Sequence, residues 1–360
     1  MSETIAPQSI AVESFHAAII GAGPIGIELA VAFKRAAIDY VHLDAAQIGS
    51  TIQWYPLEML FHSRADLLSI SGVPLQVSDQ QKPKREEYLA YLRSVVLQFA
   101  LEIRTYERVE KATRRAEGGF ELRTRTIGGE RLYRVDIVVV AIGAMHAPRL
   151  LGIPGEDAPN VSHYFRDPHD FFGRRLLIVG GRNSAVETAV RCQRAGASVT
   201  ISYRRAEFDS GVIKFWLLPE IRGMIRDGRV SFLPNTIPLE IGASSAQLAM
   251  TGEDGQVLPD AVPLALPADF VLLMTGYRQD TSLFKTLGVD LGGLDQQPRY
   301  DPETMETNVP GVFVAGTAIA GTPPGKIRVI VESCHVHIPR IVAAVTGRRL
   351  AAPLRGPEDE

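Results

Sequence analysis

The sequence predicts an α/β fold of two Rossmann-like domains, the second inserted into the first. Three observations carry that prediction. The order apolar strand, glycine turn, amphipathic helix, strand occurs twice, in HAAIIGAGPIGIELAVAFKRAAIDYVHLD (16–44) and in RRLLIVGGRNSAVETAVRCQRAGASVTISYRR (174–205). Each copy is followed at a distance by an apolar run ending in small residues, VDIVVVAIGA (135–144) and ADFVLLMTGY (268–277). Runs of this kind suit strands buried on both faces of a parallel sheet. Finally, a proline- and glycine-rich link, PRLLGIPGEDAPN (148–160), separates the copies, and a second crossing falls near 277–287. The first domain is therefore expected over 14–150 and 285–350 and the inserted one over 158–280, with 1–13 and 351–360 as flexible termini.

In order along the chain, the first copy gives a strand over 17–20, a helix, and a second strand ending at Asp44. The second copy repeats this from Leu176. VPGVFVAG (309–316) reads as a strand, and a helix is expected from Gly325 to Val345, both returning to the first domain.

The first turn, Gly21-Ala22-Gly23-Pro24-Ile25-Gly26, carries the full GxGxxG spacing of a dinucleotide site. Gly21 permits the tight turn, Gly23 lets a pyrophosphate approach the backbone, and Gly26 lets helix and strand pack closely. Pro24 fits the first helical turn, where no N–H is needed, and the helix N-terminus offers free amides to phosphate. Asp44 closes the second strand, where a carboxylate accepts ribose hydroxyls. In the second turn, Gly180-Gly181-Arg182-Asn183-Ser184-Ala185, the position matching Asp44 is Tyr203, followed by Arg204 and Arg205. A ribose 2′-phosphate favours that exchange, since a carboxylate repels it and arginine pairs with it. Solvated surface charge is the plainer reading of the two arginines, and their offset from the turn weighs against it. The first site thus predicts FAD and the inserted domain NADP(H), an FAD enzyme reduced by NADPH.

Composition is compatible and excludes other classes. The chain has 360 residues, 46% hydrophobic and 22% charged, with a net charge of −3, which gives no electrostatic reason to expect nucleic acid. No apolar run approaches the roughly 18 residues of a membrane span, and the N-terminus has no signal-peptide core. Two cysteines, Cys192 and Cys334, in no CxxC spacing, fit a reducing cytoplasm and exclude a cysteine zinc site or disulfide scaffold.

Over nearly its whole length the chain resembles the two-dinucleotide flavoproteins related to low-molecular-weight thioredoxin reductase, and within them the bacillithiol-disulfide-reductase-like branch. The resemblance rests on GAGPIG, WYPLEMLFHSRADLLSISGVP (54–74), KPKREEYLAYLR (82–93), VGGRNSAVE (179–187), YRRAEFDSGVIKFWLLPE (203–220) and PGVFVAG (310–316). It implies that Gly143 and Gly316 lie near FAD, that Lys214 sits in the NADP-side loop, with Gly276 in the same set, and that the protein is a homodimer. Three departures stand out. The CxxC that thioredoxin reductases carry before the second turn is absent from VSHYFRDPHDFFG (161–173). The cysteine that the branch places in the first turn is Ile25, and the usual flavin-binding Gly-Asp is Gly316-Thr317.

Electrons are therefore expected to leave the flavin directly, to a small molecule or a small redox protein such as ferredoxin. A flavin monooxygenase and a low-turnover redox sensor are the alternatives. Cys334 is the candidate for a lone redox thiol, with simple burial the commoner role of such a residue. His163 is read as structural, and Trp54 and Tyr55 as core or as flavin cover.

Overall fold

The protein is described here by a computed structural model over residues 11–322 and 329–347. It divides into two compact units. Of the described residues, one comprises those through Gln53, Glu58–Ala147 and those from Arg278 onward; the other comprises Trp54–Leu57 and Pro148–Tyr277.

The first unit is built on a seven-stranded sheet in the order Ile103–Arg104, Tyr40–Leu43, Val12–Ile20, Gly129–Val140, Phe120–Thr126 and Arg108–Arg114. Val312–Val314 joins it alongside Val138–Val140. Within this one sheet the long strand Gly129–Val140 has neighbours of both senses: Gly129–Val135 pairs antiparallel with Phe120–Thr126, while Leu132–Val140 pairs parallel with Val12–Ile20. Its two halves read differently for that reason. The half flanked by parallel neighbours is almost wholly buried, and the antiparallel half alternates. Ala18, Ile20, Leu43, Val138, Val140, Val312, Val314 and Phe284 form the core on this sheet.

The second unit has a five-stranded parallel sheet in the order Val230–Pro234, Ser198–Tyr203, Arg175–Val179, Phe270–Leu273, Val161–Ser162. Its core joins Ile178, Ile201 and Leu272 to Ala185, Val186 and Ala189 of the helix Asn183–Arg194. A three-stranded antiparallel sheet, Thr236–Ile241, Ser245–Met250 and Leu264–Pro267, packs a smaller core with Leu248 and Val271.

Three sequence expectations change. Residues 12 and 13 are not part of a flexible terminus: the first strand starts at Val12, and Glu13 makes two 2.7 Å bonds to the Arg104 guanidinium. The second strand stops at Leu43, leaving Asp44 beyond its end. The expected helix 325–345 is, over the described residues, a short 3-10 turn Val331–Ser333 followed by a helix His337–Thr346; residues 325–328 lie outside the description. Pro339 accounts for the late start, because it has no N–H to bond four residues back and is tolerated only in a first turn. Among the described residues no helix is long and apolar enough to cross a membrane.

Candidate functional site

The two glycine turns superimpose in their backbone bonding. Gly21 donates to Leu43 O at 2.8 Å and Gly180 to Ser202 O at 2.9 Å; Ile27 donates to Gly23 O and Val186 to Arg182 O, each at 3.0 Å. Asp44 and Tyr203 thus occupy matching places after their strands.

In the first turn the helix Pro24–Arg35 starts with Gly23 as N-cap and Pro24 behind it, so the amides of Ile25 and Gly26 have no carbonyl one turn back. A Cβ on Gly23 would meet nothing within 4 Å, whereas a Cβ on Gly26 would lie 1.9 Å from Gly21 O. Glycine at 26 is therefore imposed by the turn itself. Asp44 is half-buried; its Oδ2 accepts from Ala22 N at 2.6 Å and its Oδ1 from Ala46 N at 2.7 Å. Burial raises its pKa, opposed by those two bonds and by Arg108. A carboxylate has about four acceptor sites, so two remain for a diol. Open space over Gly23, unpaired helix amides and a half-occupied carboxylate fit the pyrophosphate and adenosine ribose of a dinucleotide.

Gly316 closes on the same turn. A Cβ built on it would touch Ile25 Cβ at 3.3 Å, and its N–H donates to His337 Nδ1 at 3.1 Å. Gly143 is linked to it through Gln279, whose Nε2 donates to Gly143 O at 3.0 Å and to Ala318 O at 2.7 Å. Ala318 belongs to the 3-10 turn Gly316–Ala320. Gln279, His337 and His42, which bonds Gly21 O at 2.9 Å, are site-bracing residues that sequence reasoning missed. Burial holds both imidazoles near a pKa of about 4, so they are neutral at physiological pH. The only sequence signal was His42, a polar residue inside an apolar strand.

The second turn differs in chemistry. The helix Asn183–Arg194 begins after Arg182 as N-cap, leaving the amides of Asn183, Ser184 and Ala185 without helical partners. Ala185 stands where Gly26 stands in the first turn. The Tyr203 ring is buried against Gly181, where an added Cβ would lie 2.5 Å from it, and stacks on Phe208 at 6.0 Å. Tyr203 is thus a floor under the turn. Arg204 and Arg205 are exposed beyond it, with Arg205 3.8 Å from Asp209. Asn183 bonds the following loop twice, accepting from Lys214 N at 2.8 Å and donating to Val212 O at 3.1 Å, which brings Lys214 to the helix start. Gly276 O accepts from Arg149 N at 2.9 Å, fixing the end of the Phe270–Leu273 strand segment.

The cysteines are poorly suited to thiolate chemistry. Cys334 follows the 3-10 turn rather than lying on the helix; it is fully buried, its Sγ donates to Ile330 O at 3.1 Å, and burial pushes its pKa to about 12. Cys192 is buried likewise, also near 12. The expectation of a redox role for Cys334 is not carried further, since a protonated thiol in an apolar site is inert. His163 lies in the second unit with Nε2 3.3 Å from Glu156 Oε1. Trp54 packs on Tyr164 and Tyr277, at 5.6 and 6.5 Å between ring centroids. No cluster suited to a metal occurs among the described residues.

A family model described as pyridine nucleotide-disulphide oxidoreductase matches residues 18–316. The chain belongs to that family. Among curated relatives of this oxidoreductase, bacilliredoxin reductase Bdr of Bacillus subtilis (strain 168) is 33% identical over 334 residues, covering 92% of this chain and 98% of the relative. A ferredoxin–NADP reductase of Ignicoccus hospitalis is 31% identical, covering 89% and 94%. The solved bacillithiol disulfide reductase Bdr (YpdA) of Bacillus cereus superimposes with a TM-score of 0.86 at 30% identity, over 93% of this chain and 99% of the other. Thioredoxin reductase of T. acidophilum, at 19% identity and a TM-score of 0.70, shares the fold. This chain is accordingly a flavoprotein oxidoreductase whose cofactors are FAD and NADPH.

Proposed function

We propose that FAD is held by Gly21, Gly23, Pro24, Gly26, Asp44, Gly143 and Gly316, that NADPH is held by the second turn with Arg204, Arg205 and Lys214, and that electrons pass to the acceptor without a protein dithiol. The observation that carries the division is the exchange at one matched position: a carboxylate at Asp44, an aromatic floor and two guanidinium groups at Tyr203-Arg204-Arg205. Bound FAD supplies a two-electron centre between pyridine nucleotide and acceptor. Asp44 anchors the adenosine ribose while bracing Ala22 and Ala46. The amides of Ile25 and Gly26 in one turn, and of Asn183, Ser184 and Ala185 in the other, meet the pyrophosphates. Tyr203 keeps the second turn in shape, and Arg204 and Arg205 pair with the 2′-phosphate.

Ile25 in the first turn and two buried, protonated thiols support direct exit. The acceptor is a small molecule or a small redox protein, ferredoxin being the candidate that a relative's name supplies. A cytoplasmic homodimer completes the proposal; the two free thiols fit a reducing compartment. Anaerobic reduction by NADPH, followed by reoxidation with disulfides, quinones, ferredoxin and oxygen, tests the reading. The Cys192→Ser/Cys334→Ser variant should stay within a few-fold of the parent with ferricyanide or a quinone, and bacillithiol disulfide should be a poor acceptor for both. Efficient disulfide reduction lost on changing Cys334 alone would overturn it.

A further inference from the structure

The loop between Arg204 and the helix Leu217–Arg226 carries an aromatic pair that the assignments above leave unused. Phe215 is 81% exposed and Trp216 37%, with ring centroids 4.9 Å apart in an edge-to-face pair. The backbone beneath them is held: Val212 N and Ile213 N donate to Asp209 O, Leu217 N donates to Lys214 O, and Asn183 grips Val212 and Lys214. Ile213, Leu217 and Leu218 on either side are buried. The fold therefore takes its packing from the neighbours and leaves Phe215 in water.

The same loop connects the two polar ends of the nucleotide site. Arg205 reaches it through Asp209, and Lys214 stands at the first residue of the phosphate helix. With pyrophosphate at the amides of 183–185 and the 2′-phosphate at Arg204 and Arg205, as proposed above, the loop that joins those two ends borders the adenosine moiety. Phe208, another ring on the loop, is committed to Tyr203 beneath the turn. Phe215 offers an exposed face, backed by Trp216.

We infer that Phe215, supported by Trp216, is the platform on which the adenine of NADPH stacks. This rests on the NADPH reading of the second turn and deepens it. Stacking of a base on an aromatic ring contributes on the order of 1–3 kcal/mol, a factor of about five to a hundred, and is indifferent to the nicotinamide end. Affinity for 2′,5′-ADP is then a property of this loop.

The test uses the flavin-loaded protein and two probes: 2′,5′-ADP, which has the adenine, and reduced nicotinamide mononucleotide, which lacks it. Phe215→Ala should weaken 2′,5′-ADP binding by calorimetry about tenfold and leave the KM for reduced nicotinamide mononucleotide unchanged, and Phe215→Tyr should restore binding. In a Trp54→Phe background Trp216 is the remaining tryptophan, and 2′,5′-ADP should quench its fluorescence. Unchanged 2′,5′-ADP affinity in Phe215→Ala, or equal weakening of both probes, overturns the platform. So does an effect seen only in turnover with a protein acceptor, which assigns the pair to partner docking. If the parent protein itself fails to bind 2′,5′-ADP, the NADPH reading falls, and the platform with it.

Discussion

The two glycine turns share strand, turn and helix bonding almost atom for atom, yet each is closed from beneath by a different group. In the first, Asp44 reaches back to Ala22 N at 2.6 Å. In the second, Tyr203 lays its ring on Gly181. The first turn is therefore held by a charge that also faces the site, and the second by an apolar floor that leaves its charges, Arg204 and Arg205, outside in water. One scaffold thus carries opposite charge at matching positions, which on the proposed reading meet the same part of a nucleotide, without a change in fold.

The sharpest way to break the comparison is at the third glycine. Gly26→Ala forces a Cβ to within 1.9 Å of Gly21 O, so the turn must open; the variant should purify without flavin, read by its absorbance spectrum. Ala185→Gly in the matching place should change NADPH affinity less than about threefold, with a cost of about 1 kcal/mol in thermal stability from the added helix freedom. Comparable effects at both positions would mean that the turns are not close-packed in the way described.

Acidification separates the turns next. His42 and His337 brace the first turn from inside its unit, with pKa values near 4 because burial disfavours the charged form. An unfolded histidine titrates near 6.5, so their contribution is fully present above about pH 6.5 and is lost as pH falls toward 4, by up to about 3 kcal/mol for each imidazole. FAD retention followed by flavin fluorescence should decline across that window. His337→Gln, which keeps an acceptor for Gly316 N, should flatten the decline.

Asp44→Ala should weaken FAD binding by roughly ten- to a hundredfold, from charged hydrogen bonds of about 1.5–3 kcal/mol, and leave 2′,5′-ADP binding untouched. Gln279→Leu, which removes the link from Gly143 to Ala318, should weaken FAD a few-fold. Equal effects of either change on both nucleotides would place these residues in general stability.

What the sequence made legible follows from distance along the chain. The turns, their helices and the Asp44 to Tyr203 exchange were readable because glycine spacing and strand length are local. The antiparallel strands at 108–126 and 236–267 were not, since segments such as RVEKATR carry charge on a solvated face and lack the continuous apolar run of a buried strand. Gln279 and His337 escaped because their partners lie 136, 39 and 21 residues away. Pro339 did carry a local signal for the start of the last helix, and the apolar pattern around it outweighed that signal.

The central claim, that the second turn is built for a 2′-phosphate and the first is not, is tested most directly by the rate of flavin reduction under NADPH and NADH in the parent and in Arg204→Ala/Arg205→Ala. The account predicts a parental preference for NADPH of about ten- to a hundredfold, erased in the double variant while the NADH rate is nearly unchanged. A parent without preference, or a variant that loses both substrates equally, would contradict it.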